Sequence, residues 1–476
     1  MAHAHVLSIK KDVSLVERPD AGLSLESAQV KLPLGPVSPG IVSAIKVLLN
    51  GGAREQELGD VVLEQDGAAV LPYLYLYLHQ FDAYKFLCRT VRLDEEPLAT
   101  LVPTSFYYKY EASDVSPDAA YTLSRFACCR REGDSLIVES PLGHARLVLH
   151  SPRAASLLAH LATSQSPAGL AEHVQGVTRD DARAFIDLLA NAGALSGDEE
   201  PETEERASDA SLRQWDFHDL FFHTRSRVGR HANPYGGTYR FVKEIEPLPA
   251  VKPRMSEGTI YLFKPDLDRL KENDPTFTSV LEDRKSVRAH GERALTAQQL
   301  GEFLFRAARV REIFKTEHGE LGSRPYPAGG AIYELEIYPV VNRCEGIDAG
   351  LYHYRPDTHQ LSKLAGQTSH FERLLEYARH TAVQESRPQV LLVVTARFQR
   401  VTWKYQSMAY ALVLKHVGVL YQTMYLAGTA MGLATCALGG GDSDLFAEAA
   451  GLDYYAESSV GEFIIGQRPD SDSPQE

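Results

Sequence analysis

The longest apolar stretch of the chain runs from Ser407 to Leu433 and contains no proline. Its apolar side chains fall on nearly every face of a 3.6-residue period. That pattern predicts a helix packed on all sides rather than an amphipathic surface helix. The stretch has 27 residues, which at about 1.5 Å rise gives a rod of roughly 40 Å. Gly418, Ala427, Gly428, Ala430 and Gly432 leave room for other backbones, as a core or dimer helix requires. Lys415 and His416 interrupt it, so no apolar run reaches the length of about 20 residues that spans a bilayer. A polar group, Thr402-Trp403-Lys404-Tyr405, stands before the helix, and Cys436-Ala437-Leu438-Gly439-Gly440-Gly441-Asp442 predicts a glycine-rich loop after it.

Upstream, the pattern is of small units. Val30 to Leu34 reads as a strand, and Ser38-Pro39 opens a helix with Ser38 as cap and Pro39 at the first position. Ile41, Ala44, Ile45, Leu48 and Leu49 form its apolar stripe, and Gly51-Gly52 stops it. Val70 to His79 alternates apolar and aromatic residues like a strong strand, but Pro72 disfavours a central strand and leaves a helix start equally open. Tyr121 to Ile137 predicts a hairpin around Glu132-Gly133-Asp134. Ala145 to His150 reads as a strand. Ser151-Pro152 and Thr178 then open helices on either side of a third at Ser166–His173, and Gly193-Ala194-Leu195 exits into a wing-like turn.

The repetition of strand, helices and wing predicts two tandem winged-helix-like domains, residues 1–103 and 104–200, the second including the hairpin. An acidic stretch from Gly197 to Ser208 begins a connecting region, 201–254. Trp215 to Arg230 within it has a helical pattern with aromatic anchors. Its His218 and His223 are spaced poorly for a shared metal. From 255 to 476, helices at 276–283, 296–308 and 368–380 alternate with strands at 332–341, 351–354, 389–396 and 461–466, before an acidic tail read as disordered. The expectation is an α+β (or layered α/β) domain carried behind the winged-helix-like units.

Composition narrows the function. The net charge is −14, and residues 1–200 carry 17 Lys+Arg against 26 Asp+Glu. Winged helices often bind DNA, but this balance repels phosphate and argues against nucleic acid. Capture of a peptide strand on the wing's open edge fits better, and a purely structural cap remains a further reading. The five cysteines show no metal-ligand spacing, which argues against structural zinc or any other metal and for a reducing compartment. The first 20 residues hold no apolar signal core, so a cytoplasmic protein with no membrane association is expected.

Three motifs carry candidate chemistry. Arg284-Lys285-Ser286-Val287-Arg288 gathers three cations and a hydroxyl suited to one phosphate. Pro327-Ala328-Gly329-Gly330 leads into a strand and lets backbone lie flat against a planar ligand. Three successive glycines at 439–441 exceed what a helix stop needs and again favour a flat ligand. No G-x-G-x-x-G follows a strand and no P-loop is present, so a Rossmann dinucleotide site is not expected.

In this order the motifs resemble those of the nitroreductase-like flavoprotein superfamily, over about residues 255–468. The resemblance is strongest to the SagB-type branch, the azoline dehydrogenases of ribosomal peptide biosynthesis, whose paired Lys-Tyr is matched by Lys404-Tyr405. The tandem front half resembles that of cyanobactin-type oxidases. The resemblance implies non-covalent FMN between the two subunits of a homodimer. It places Arg284, Lys285, Ser286, Arg288 and Arg468 toward phosphate and ribityl, with Lys285 where many relatives carry Arg or His. Pro327, Ala328, Gly329 and Gly330 would lie along the ring, and Gly439 and Gly440 at its N5 and O4. Gln422 and Leu438 complete the implied cofactor set. The implied partner is an azoline-containing precursor peptide, with a cyclodehydratase as a further one.

The implied reaction converts thiazolines or oxazolines to azoles by removing a proton and a hydride. Tyr405 is the base if Lys404 stabilises its phenolate; Lys404 is the base if burial disfavours its ammonium. Both stay open. Two other functions compete: an NAD(P)H-dependent nitro- or quinone reductase, which has no use for peptide-binding units, and a non-enzymatic scaffold that presents a precursor peptide.

Overall fold

Val390-Leu391-Leu392-Val393-Val394 offers no polar residue to water, and the chain buries this run on both faces. In the computed structural model, which describes residues 5–18, 22–28, 30–113, 115–196 and 210–469, it forms the middle of a large sheet. The acidic stretch Gly197–Ser208 and the acidic tail from residue 470 lie outside the described residues. The chain divides into two compact units, Met1–Asn233 and Pro234–Glu476.

The first unit opens with β1 (Val6–Ile9), β2 (Ser14–Arg18), β3 (Gly22–Glu26) and β4 (Lys31–Gly35). Helices α1 (Pro39–Leu49), α2 (Glu55–Asp66) and α3 (Leu71–Ala83) and the hairpin β5 (Leu87–Leu93) and β6 (Glu96–Pro103) follow. Then come β7 (Cys128–Glu132), β8 (Ser135–Glu139), β9 (Ala145–Leu149), α4 (Pro152–His160), α5 (Pro167–His173), α6 (Arg179–Asn191) and α7 (Phe217–Arg225). A six-stranded sheet, β1-β5-β6-β9-β8-β7, runs through both strand-and-helix sets. The Ser151 and Thr178 hydroxyls accept capping N–H bonds as expected, Thr178 in a reciprocal box with Asp181, and Ser166 also caps its helix.

One expectation needs correction, and one open reading is decided. Ser38 does not cap α1 with its side chain. Its hydroxyl donates to Asp66 at 2.5 Å, and that carboxylate accepts the Gly40 N–H at 2.8 Å. Of the two readings left open at Val70–His79, the structure takes the helix, α3, in which Leu74, Leu78 and Phe81 are buried. Tyr73, Tyr75 and Leu76 remain exposed. The alternation of Leu and Tyr imitated a two-residue period, whereas burial follows i, i+4, i+7.

In the second unit, β10 (Gly236–Gly237), β11 (Thr259–Tyr261), α8 (Leu267–Asn273), α9 (Phe277–Asp283), β12 (Leu295–Thr296) and α10 (Ala297–Ala308) come first. The hairpin β13 (Glu312–Thr316) and β14 (Gly319–Ser323) precedes β15 (Leu335–Val341), β16 (Cys344–Glu345), β17 (Gly350–Arg355), β18 (Gln360–Ala365) and α11 (Ser369–Thr381). Then follow β19 (Val390–Arg397), α12 (Phe398–Thr402), β20 (Tyr405–Gln406), α13 (Ala409–Ala430), β21 (Leu433–Leu438), α14 (Ser443–Ala450) and β22 (Glu457–Gln467). The seven-stranded sheet has the order β11-β18-β17-β15-β19-β22-β21, with antiparallel neighbours throughout. Leu392, Val394, Phe463 and Ile465 pack against α10 and α13 on one face. Leu391, Val393 and Ile464 pack against α11 and α14 on the other. This two-sided burial explains the unbroken apolar run.

The central helix is shorter than its apolar run. It spans the 22 residues of α13, and Gly432 (φ +67°) turns the chain into β21, an edge strand that the sequence pattern missed. Nor is it packed on all sides: Tyr410, Leu414, Lys415, Gly418 and Gln422 are exposed along one stripe. Among the described residues, no helix is long and apolar enough to cross a membrane.

Gly428 on α13 fixes the approach of β21, because a Cβ there would collide with the Thr435 methyl. Gly428→Val is therefore expected to destabilise this unit by about 2 kcal/mol through overpacking. Chemical denaturation measures it, and an unchanged midpoint would contradict the packing described.

Candidate functional site

The site is built from the end of β19. Arg397 closes that strand and α12 follows at once, carrying Arg400 into the interior. Arg400 is 7% exposed and makes its hydrogen bonds with carbonyls: those of Leu248 (2.5 Å), Ile332 (2.5 Å) and Glu320 (3.0 Å). Burial, with Arg397 and Arg324 nearby, lowers it to about 10. It thereby ties α12 to β14 and to the loop before β15. The Trp403 indole N–H donates to the Ile245 carbonyl at 2.6 Å. These bonds fix the position from which Lys404 and Tyr405 project.

Both residues stand over the Pro-Ala-Gly-Gly loop. A Cβ on Gly330 would lie 2.6 Å from the Tyr405 hydroxyl and 2.7 Å from Lys404 Nζ. Gly330 has φ +63°, a left-handed conformation that favours glycine. Its neighbour Gly329 donates its N–H to His416 Nε2 of α13 at 2.7 Å. His416 Nδ1 in turn bonds Glu334 Oε1 at 2.7 Å. Glu334 is fully buried, so an interior side chain holds the loop through the ring. Pro327 is exposed and Ala328 half-buried against the core.

The basic turn reaches the other end of the same helix. The Val287 N–H donates to the Thr435 carbonyl at 2.9 Å. Ser286 shares a 2.9 Å hydrogen bond with the Tyr425 hydroxyl, which also accepts the Ala437 N–H at 2.8 Å. The Arg284 guanidinium sits 5.3 Å from the Tyr425 ring centre. Gln422, exposed, lies one turn before Tyr425. His416 and Tyr425 are nine positions apart on α13, about 14 Å of helix.

The remaining residues are placed unevenly. Lys285 is exposed. Arg288 lines a hollow with Arg379 and Arg387. His290 in that hollow is lowered to about 4 by burial. Arg468 has a buried Nε without a protein partner, and its carbonyl abuts Gly291. Leu438 is buried, whereas Gly439 and Gly440 are exposed with nothing within 4 Å of where a Cβ would stand. Gly441 lies against the carboxylate of Glu462, whose burial raises its pKa.

Several residues of this arrangement went unread in the sequence. His416 counted there only as an interruption of the apolar helix; a lone histidine amid apolar neighbours was the available signal. Glu334 and Tyr425 carried none. His218, by contrast, is exposed, and His223 stacks on Trp215 at 5.7 Å. Among the described residues no group of three or more His, Cys, Asp or Glu is placed to hold a metal ion.

Three family models match the chain in succession. The helix-turn-helix domain of ThcOx matches residues 1–112, the cyanobactin oxidase ThcOx residues 121–232, and the nitroreductase family residues 281–467. In its front part the chain is similar to the cyanobactin oxidase ThcOx, and its back part matches the nitroreductase family. The chain is thus an oxidoreductase with a helix-turn-helix front half. A protein of Methanocaldococcus jannaschii, described as a candidate nitroreductase, is 29% identical over 38% of this chain and 84% of its own length. The trifolitoxin-processing protein TfxB of Rhizobium leguminosarum bv. trifolii is 25% identical over 34% of this chain and 44% of its own length. The microcin B17-processing protein McbC of Escherichia coli is 29% identical over 27% and 49%, respectively. The chain thus matches under half the length of these two peptide-processing relatives.

Gly330→Ala tests the geometry of this site. The left-handed φ adds a cost of roughly 1–2 kcal/mol. The new methyl meets only the flexible ends of Lys404 and Tyr405, so the fold is expected to persist while both side chains shift. An isotope-labelled Lys404 amine should move in the NMR spectrum with circular dichroism unchanged; an unmoved signal would refute the contact.

Proposed function

We propose that this protein is an FMN-dependent oxidase that converts thiazolines or oxazolines of a modified precursor peptide into azoles. The observation that carries the reading is the meeting of Lys404, Tyr405 and the Gly329-Gly330 loop, which puts a proton acceptor beside a flat, glycine-floored surface. The peptide-processing relatives support a peptide substrate, and a cyclodehydratase that makes azolines would act before this chain.

The residues present fit FMN. The Arg284–Ser286 edge offers a guanidinium and a hydroxyl to a phosphate, and the unpartnered Arg468 Nε adds a donor for an anion. Gly439 and Gly440 leave their faces open to a planar group. Arg288 fits less well, since it lines a separate hollow with Arg379 and Arg387 that does not include Ser286. When bound, FMN would supply hydride acceptance. The chain's part is to orient the azoline, exclude water and take its α-proton on Tyr405 or Lys404. The five unpaired cysteines accord with a reducing cytoplasm.

Removing the base leaves the cofactor cradle intact. Lys404→Ala and Tyr405→Phe are expected to purify yellow and to lose azole formation by at least about 100-fold, the usual reach of general acid–base catalysis. Mass spectrometry of an azoline peptide reads the loss of two hydrogens. Full turnover by both variants would remove the assignment, and fast flavin reduction by NADPH would favour a small-molecule reductase.

The exposed stripe of α13, flanked by Phe277 and Leu281 of α9, which are 68% and 40% exposed, suits a second copy of the chain. A Cβ on Gly418 would meet nothing within 4 Å. Gly418→Arg is therefore expected to fold and to shift the protein from dimer to monomer in sedimentation. A stable dimer in that variant would place the interface elsewhere.

A further inference from the structure

The segment from Pro234 to Ile245 is laid along the Lys404 loop by a series of bonds. Gly236 and Gly237 pair with Gln406 and Tyr405 as β10 and β20. The Ser407 hydroxyl donates to the Pro234 carbonyl at 2.8 Å, and the Tyr239 N–H to the Lys404 carbonyl at 3.2 Å. Tyr239 itself has φ +52°. A tyrosine holds that left-handed conformation only where its surroundings impose it, and such residues gather at functional sites.

The strain brings the Tyr239 ring to Lys404. Lys404 Nζ lies 5.5 Å from the centre of the Tyr239 ring and 5.3 Å from that of Tyr405. Both are within the reach at which a ring face attracts an ammonium. Behind Tyr239, His318 of the β13–β14 turn packs on its ring at 4.3 Å, and Trp403 meets it edge-on at 5.8 Å. Together they form one wall of a cleft of about 230 Å³ that opens beside Lys404.

We propose that Tyr239 is a positioning residue: its ring, braced by His318 and Trp403, holds the Lys404 amine over Gly330. The role in turnover rests on the oxidase reading above. The placement of the amine does not. Among side chains, Tyr239 acts on the reaction through Lys404, so losing both costs no more than losing Lys404.

The full-length flavoprotein tests this with Tyr239→Leu, Tyr239→Phe, Lys404→Ala and the double variant Tyr239→Leu/Lys404→Ala. Tyr239→Leu is expected to lower kcat about 100-fold, the scale of a small misplacement of a reacting group, with peptide KM little changed. Tyr239→Phe keeps the ring face and should restore most of the rate, and the double variant should match Lys404→Ala. Independently of turnover, acetylation of Lys404 by an N-hydroxysuccinimide ester, read by mass spectrometry, should speed up in Tyr239→Leu and not in Tyr239→Phe. His318→Ala, which leaves the strap's backbone untouched, should shift acetylation in the same direction by less. Multiplying losses in the double variant, or equal acetylation of Lys404 in Tyr239→Leu and wild type, would overturn the proposal. Wild-type protein that never oxidises an azoline would instead overturn the oxidase reading and leave the acetylation result to decide the placement.

Discussion

The arrangement depends on one buried hydrogen-bonded series, Glu334 to His416 to the Gly329 N–H. Nε2 of His416 must accept from Gly329, so the ring proton belongs on Nδ1, facing Glu334. A carboxylate with no exposed surface is costly unless it is bonded, and here its partner is the ring that holds the loop. The glycine loop therefore cannot drift from α13 without stranding two buried polar groups. Gly330, next in sequence, is thereby fixed where Lys404 and Tyr405 arrive from α12. One interaction sets the distance between the glycine loop and the Lys404 and Tyr405 side chains.

The central helix acts as the ruler for everything else. His416 receives the Pro-Ala-Gly-Gly loop, Tyr421 packs against Gly461 of β22, and Tyr425 receives Ser286 and Ala437. Three segments distant in sequence are thus registered along one rod, in steps set by helical rise. Gly461 and Gly428 matter for the same reason: each allows a strand to approach closer than a side chain would permit.

The sheet was legible wherever burial was two-sided, as at Val390–Ala396, because no solvent face dilutes the apolar signal. The capped helices α4 to α6 were legible from local chemistry, since a Ser or Thr hydroxyl answers an N–H three residues away. The α3 helix hid behind tyrosines that supply apolar area yet sit at the surface. Strand β21 hid because it continues the apolar run of α13, and only Gly432 marks the change. At the site, the glycine motifs, the basic turn and the Lys-Tyr pair could be read, since each is contiguous. Glu334, Tyr239 and Tyr425 could not. Each gains its place from a partner 82 to 165 positions away along the chain, His416, Lys404 and Ser286 among them.

That difference has a physical consequence for how the site is divided. The contiguous motifs supply surfaces: a floor of glycines, an edge of cations, and the adjacent Lys404 and Tyr405 side chains. The scattered residues supply orientation, because a side chain of several rotatable bonds, such as Lys404, has no preferred direction in its own sequence. Only packing from other segments removes that freedom, and the entropy of ordering it is met when the protein folds rather than when substrate binds. Arg400 illustrates the cost. It is buried against carbonyls of three different segments, and its charge resists that burial. A buried cation kept for no reason but stability would be better replaced by an apolar side chain. Its burial four residues before Lys404 is intelligible if what it provides is a fixed starting point for that side chain.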